Sequence, residues 1–328
     1  MKHANISLFV PHMGCPHQCS FCNQKTISGS VKELTPDDVK ETLLKADEDN
    51  IDSENTEIAF FGGSFTAIHR EYMISLLEAA KPFIEKGRFS GIRVSTRPDA
   101  IDETVLDILK KYYVTAIELG AQSTDSGVLA FNKRGHTRED IIKASELIKE
   151  KGFSLGLQMM TGLLGDTDEK SLGTCQDIID LKPDTVRIYP TIVLENTYLG
   201  ELYKKGEYKP QSLDDAVRLC AKLLMKFQEN DITVIRLGLH SGGNVEEGYL
   251  AGPYHPAFGE LCEGEIYLSL AKEKLKGRPA GEVTIYVNPR EISKMTGQKG
   301  KNKKALADDG YIVTVKPDDK LSKYEIEF

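Results

Sequence analysis

Three cysteines fall within eight residues near the start of the chain, in Met13-Gly14-Cys15-Pro16-His17-Gln18-Cys19-Ser20-Phe21-Cys22-Asn23, with the spacing C-x3-C-x2-C. Cysteine thiolate is the usual protein ligand of iron–sulfur clusters. Cys15, Cys19 and Cys22 on one tight loop can hold three corners of a 4Fe–4S cube and leave the fourth iron without a protein ligand. An open metal position can take a substrate; here it would chelate the amino and carboxylate groups of S-adenosylmethionine. An electron from the cluster would then break the sulfonium C–S bond and release a 5′-deoxyadenosyl radical. That chemistry belongs to the cofactor, and the protein supplies placement and dryness. Two other readings use the same residues: a zinc site completed by His17, His12 or a distant cysteine, and three unrelated structural thiols.

The elements that must position this loop read as an alternation. Ile6–Val10 is a short apolar run that stops at Pro11, a buried strand leading straight into the cysteines. Further strands are expected at Glu57–Phe61, Ile92–Ser95, Val114–Leu119, Ser154–Met160, Thr185–Tyr189 and Thr233–Leu237. Helical periodicity lies between them at Thr35–Asp47, His69–Lys86, Glu103–Lys111, Arg138–Lys151, Glu169–Leu181 and Leu213–Asn230. Such alternation predicts a parallel α/β protein, a barrel or a doubly wound sheet. Glycine or proline follows nearly every strand, so the strand ends are rich in loops, as on the active-site face of a barrel.

The pattern changes at Lys276-Gly277-Arg278-Pro279. Beyond it a strand at Val283–Val287, helices at Pro289–Met295 and Asn302–Asp308, and strands at Tyr311–Val315 and Tyr324–Phe328 predict a small α+β domain. The expected division is a barrel over residues 1–275 and a small domain over 280–328.

Composition narrows the classes. The chain has 328 residues, 40% hydrophobic and 28% charged, an ordinary globular balance. No apolar stretch approaches the length of a membrane helix, and the start of the chain carries no readable export signal; a cytoplasmic protein with no membrane partner is expected. The six cysteines are too few for a disulfide scaffold. The net charge of −8 disfavours nucleic-acid binding over the whole surface, so any such contact needs a local basic patch.

The cysteine segment resembles the signature of the radical S-adenosylmethionine superfamily, C-x3-C-x2-C with an aromatic residue, here Phe21, before the last cysteine. The resemblance covers roughly residues 4–275. More narrowly, the chain resembles the radical domain of the Elongator catalytic subunit and its shorter bacterial relatives. The matching stretches are Phe60-Phe61-Gly62-Gly63-Ser64-Phe65-Thr66, Ser95-Thr96-Arg97-Pro98-Asp99, Glu118-Leu119-Gly120-Ala121-Gln122-Ser123, Lys133-Arg134-Gly135-His136-Thr137, Gln158-Met159-Met160-Thr161-Gly162-Leu163 and Arg187-Ile188-Tyr189-Pro190. The resemblance implies a partial (β/α)6 TIM-like barrel with a 4Fe–4S cluster and S-adenosylmethionine as cofactors. It implies that Gly62, Gly63 and Ser64 bond the ligand's amino group through the main chain, which glycine lets approach closely. It further implies that Gln122 and Arg134 meet the ribose and the carboxylate, an arginine fork suiting two oxygens. Ser95 and Gln158 stand where relatives often carry an acid. Arg187 and Tyr189 face either ligand or barrel core. His240, His255 and Cys262 read as structural, in loops, and Cys175 and Cys220 as core.

The tail holds a G-x-x-G, Gly297-Gln298-Lys299-Gly300, followed by Lys301. Five lysines lie between Lys294 and Lys304 with no acid among those residues. Strand–helix–G-x-x-G–helix–strand resembles a KH module, whose loop clamps a nucleic-acid backbone. The leading expectation is an enzyme that modifies RNA, above all tRNA, with a flavodoxin- or ferredoxin-type electron donor. No acetyltransferase domain of the family's size is expected after residue 275, which implies another modification or a partner protein supplying the acyltransferase. The alternatives are a radical enzyme for a small molecule such as a tetrapyrrole, and a non-catalytic cluster-bearing chaperone or RNA-binding protein.

Overall fold

Seven strands run parallel in one sheet: β1 (Ala4–Val10), β2 (Thr56–Gly62), β3 (Ile92–Thr96), β4 (Val114–Gln122), β5 (Ser154–Thr161), β6 (Thr185–Pro190) and β8 (Thr233–Leu237). They stand in chain order, each paired with the next, and β1 is not paired with β8. A computed structural model supplies these coordinates and describes residues 4–10, 19–22, 33–48, 51–239 and 244–328. Cys15, His12, His17 and His240 lie outside the described residues. The expected partial α/β barrel is the fold, and its sheet holds the seven strands read from the sequence, one more than a (β/α)6 barrel, β8 adding to the outer edge of β6.

The strands are apolar toward the helices, and their other face is turned inward. Leu8, Ile58, Phe60, Ile92, Val94, Ile117, Leu119, Leu155, Leu157, Val186 and Ile188 join one core with helices packed outside the sheet. Those helices begin at the strands' C-terminal end, and most are fixed there by a side-chain cap. Asp102, Asp125, Thr137, Thr167, Thr197 and Ser212 each accept a backbone N–H of the first turn. Such caps satisfy donors that a helix start leaves orphaned. Helices at Ser126–Phe131 and Tyr198–Lys204, and the two-stranded ribbon of β7 (Val193–Leu194) with β9 (Tyr249–Ala251), are additions the pattern did not reveal.

One correction concerns Phe258–Leu275, which is a helix and not a loop, with Cys262 inside it and fully buried. Its Phe258, Cys262 and Ile266 belong to the barrel core, and its Tyr267, Leu268, Ala271 and Leu275 to a second core. That second core is shared with β10 (Gly281–Val287), β11 (Tyr311–Pro317) and β12 (Ile326–Glu327). These form a three-stranded sheet in the order β11-β10-β12, with β10 and β11 parallel. The last strand is Ile326–Glu327, shorter than expected, because Tyr324 turns at φ 62° and its ring packs on Tyr267.

Candidate active site at the strand ends

The cysteine turn is held from three sides. Ser20 N–H donates to Asn132 O at 3.2 Å, and Ser20 Oγ donates to Asn132 Oδ1 at 2.6 Å. Leu199 N–H donates to Ser20 O at 2.7 Å. Asn132 is itself fully buried and spends its Nδ2 on Val128 O and Leu164 O. One amide thus ties the Cys19–Cys22 turn to the helix Ser126–Phe131 and to the loop after β5. Sequence reasoning missed Asn132, because its partners lie 112 and 32 residues away.

Arg134 reaches this turn. Its Nη1 donates to Cys19 Sγ at 3.1 Å and its Nη2 to Gly120 O at 2.6 Å, while Phe21 lies 6.0 Å from the guanidinium carbon. Behind Arg134, Arg97 donates to Arg134 O at 2.6 Å and grips Asp99 at 2.8 and 2.9 Å. Burial works against the Asp99 carboxylate, but the Arg97 fork holds its pKa below the usual value. His136 is buried beside these cations, its Nε2 3.2 Å from Ala121 O. Burial first, and then the Arg134 charge, push its pKa down from 6.5 to about 4, so the ring is neutral at pH 7.

The glycine pair closes the neighbouring strands. Gly62 has φ 111°, and a Cβ there would meet Val10 O at 2.6 Å. Gly63 N–H donates to that same oxygen at 3.0 Å. Ser64 Oγ accepts Arg97 N–H at 3.0 Å, so its hydroxyl serves the turn after β3. Gln122 ends β4 at φ 65°, where the pairing with β5 shifts register. Among the described residues, Ser95 Oγ, Gln122 Oε1 and Arg134 Nε are buried polar atoms without a hydrogen-bond partner. Buried polar groups are normally satisfied. Three of the residues expected to hold S-adenosylmethionine thus carry polar atoms that a ligand could satisfy, although such atoms also occur elsewhere, at Ser145, Thr185 and Thr191 among others.

Below these residues the inward face of the sheet carries charge. Glu118, 1% exposed, takes Arg187 at 2.7 and 2.8 Å, Arg93 at 3.3 Å and Gln158 Nε2 at 3.0 Å. Gly156 makes room, since a Cβ there would lie 2.9 Å from Glu118 Cγ. Burial opposes the Arg187 charge, but Glu118 outweighs it and the pKa rises. Arg187 also lies over Phe61, 5.3 Å from the ring centroid. Gln158 is thus engaged with Glu118, and Arg187 and Tyr189 face inward rather than into the helix layer. Elsewhere, His255 Nδ1 accepts Ala257 N–H at 3.0 Å, a structural role. Cys175, Cys220 and Cys262 are buried, and burial pushes the Cys175 thiol up to about 12.

The G-x-x-G turn packs on the barrel. Asn302 donates to Gly264 O at 2.7 Å and to Lys294 O at 3.1 Å, and a Cβ on Gly297 would strike Asn302 N at 2.7 Å. The lysine run meets acids from elsewhere in the chain: Lys294 pairs with Glu263 and Glu291, and Lys301 with Asp214. Lys299, Lys303 and Lys304 are exposed, and Gly300 is open to space.

Residues 9–178 match the Radical SAM superfamily and residues 183–267 the Radical_SAM C-terminal domain. The chain belongs to the radical SAM superfamily, and membership implies a 4Fe–4S cluster and S-adenosylmethionine. Within it, the chain is 35% identical over 183 residues to a tRNA uridine(34) acetyltransferase of Methanocaldococcus jannaschii, covering 50% of this chain and 34% of that one. It is 30% identical over 191 residues to human Elongator complex protein 3, covering 52% of this chain and 35% of the relative. In structure it is similar to the archaeal Methanocaldococcus infernus Elp3 with an N-terminal deletion. The TM-score is 0.65 at 23% identity, over 84% of this chain and 65% of the other. The chain spans about a third of the length of the two curated relatives it matches here.

Proposed function

We propose that the chain generates a 5′-deoxyadenosyl radical at the strand ends and uses it to modify RNA, above all tRNA. The observation that carries the first half is Arg134 at Cys19, its Nε buried without a partner among the described residues, with Gln122, whose Oε1 is likewise buried and unpartnered, beside it at Gly120. In this reading Cys15, Cys19 and Cys22 hold the 4Fe–4S cluster, which supplies the electron that cleaves S-adenosylmethionine. Gly62 and Gly63 offer main chain at close approach to the ligand's amino group, Arg134 offers its remaining donor to a carboxylate, and Gln122 accepts from a ribose hydroxyl. Asn132 keeps the cysteine turn still. The inward face below, with Glu118 neutralised by Arg187 and Arg93, receives the substrate.

The RNA half is supported by the relatives' activity on tRNA and by three exposed lysines around an open Gly300. Backbone contacts of this kind are salt-dependent and indifferent to base identity. Reconstituted without air and reduced, the protein is expected to bind iron and sulfide and to release 5′-deoxyadenosine more rapidly with RNA-containing than with RNA-depleted extract. Zinc in place of iron, or no nucleoside product with any extract, overturns the radical reading. Product formation indifferent to RNA points to a small-molecule substrate. Unchanged tRNA affinity across salt in Lys299→Glu removes the tail from the RNA contact.

A further inference from the structure

Strands β6 and β8 set two arginines side by side. Their pairing slips one residue between Val186 and Arg187, so Arg187 is matched to Arg236 across the ladder. Val186, Ile188, Val234 and Leu237 pack toward the helices, which leaves both arginines on the inward face. Like charges at such positions repel. Arg187 is neutralised by Glu118 at 2.7 Å. Arg236 is half-buried and spends Nε on Gly238 O at 3.0 Å, and no carboxylate among the described residues pairs with it. Burial depresses the Arg236 pKa first; Tyr189 beside it works the other way, and the Arg187 charge adds to the depression. Counted over the described residues of the inward face, Glu57 and Glu118 stand beside Arg93, Arg187 and Arg236, one more cation than anion.

We infer that Arg187 and Arg236 form an oxyanion subsite that takes a phosphate or carboxylate of the molecule entering the barrel. Guanidinium groups recognise both through N–H donors; Arg187, held under the Phe61 ring, spends Nε and Nη2 on Glu118, so the open donors come chiefly from Arg236, of which only Nε is engaged among the described residues. The subsite begins at Arg187, beside Phe61 and hence next to Gly62, and extends to Arg236 on β8, the far edge strand of the sheet. Its Arg236 end, on the edge strand farthest in the sheet order from β1 and β2, is the part assigned to substrate rather than to S-adenosylmethionine. The inference rests on the proposed role of the barrel as substrate chamber, but anion binding needs neither cluster nor radical, so the two stand or fall on different measurements.

The test is titration of the purified full-length chain with inorganic phosphate and, separately, with acetate, read by calorimetry and by melting temperature against chloride at equal ionic strength. The parent is expected to bind phosphate and to melt higher with it. Arg236→Gln should weaken binding at least tenfold while melting no lower than the parent in chloride, because it removes a repulsion. Arg236→Lys should retain part of the affinity. Acetate binding as well as phosphate assigns a general oxyanion site, and phosphate alone a phosphate site. Equal phosphate affinity in Arg236→Gln, an equal loss in the exposed control Arg218→Gln, or displacement of phosphate by S-adenosylmethionine from the reconstituted protein overturns the inference.

Discussion

Gln122 holds a left-handed backbone conformation at a bulge in β4, with its side-chain Oε1 buried and without a partner. A non-glycine residue pays about 1–2 kcal/mol for that conformation. Gln122→Gly is therefore expected to raise stability by roughly 1 kcal/mol while weakening S-adenosylmethionine binding about tenfold, a hydrogen bond's worth. Denaturant midpoints and ligand titration read the two effects separately; a fall in stability with unchanged affinity would mark the residue as structural. His136 gives a pH signature. Its pKa is 6.5 in the unfolded chain and about 4 when folded, so the unfolded chain takes the proton first. The stabilisation is whole above pH 6.5 and drains as pH falls toward 4, by up to about 3 kcal/mol. Urea unfolding across that window should show the loss in the parent and a flatter slope in His136→Gln.

Among the elements, the β1–β2 pair is exposed to a single change. Gly62→Ala places a methyl 2.6 Å from Val10 O at φ 111°, so the two strands must part where they feed the cysteine loop. A loss of about 2–4 kcal/mol is expected from strain of this kind, with weaker iron retention, as measured by unfolding and by iron content after reconstitution. The strands and the helices that face one core were readable, since their apolar residues repeat with one period. Phe258–Leu275 was not, because it serves two cores: Phe258, Cys262 and Ile266 point one way and Tyr267, Leu268 and Leu275 another. Apolar residues on opposing sides erase the one-sided stripe by which an amphipathic helix is recognised. The cysteines and glycines of the site announced themselves by spacing. Asn132, Glu118 and Arg236 did not, for their meaning lies in partners on other strands and loops.

At the scale of the molecule, charge is distributed against the average. The chain is −8 overall, yet among the described residues the inward face of its sheet holds more guanidinium than carboxylate, and three exposed lysines lie around Gly300. Among the described residues no helix is long and apolar enough to cross a membrane. The sequence break at Lys276-Gly277 looks like a natural place to cut, but Tyr267, Leu268, Ala271 and Leu275 are covered by β10, β11 and β12. A protein shortened to residue 275 would turn that covered strip to water. Bare patches of this kind recruit one another, so the shortened chain should scatter light and sediment as heterogeneous aggregates at concentrations where the whole chain stays dispersed. Monodispersity after such trimming would mean that the barrel ends where the helix does.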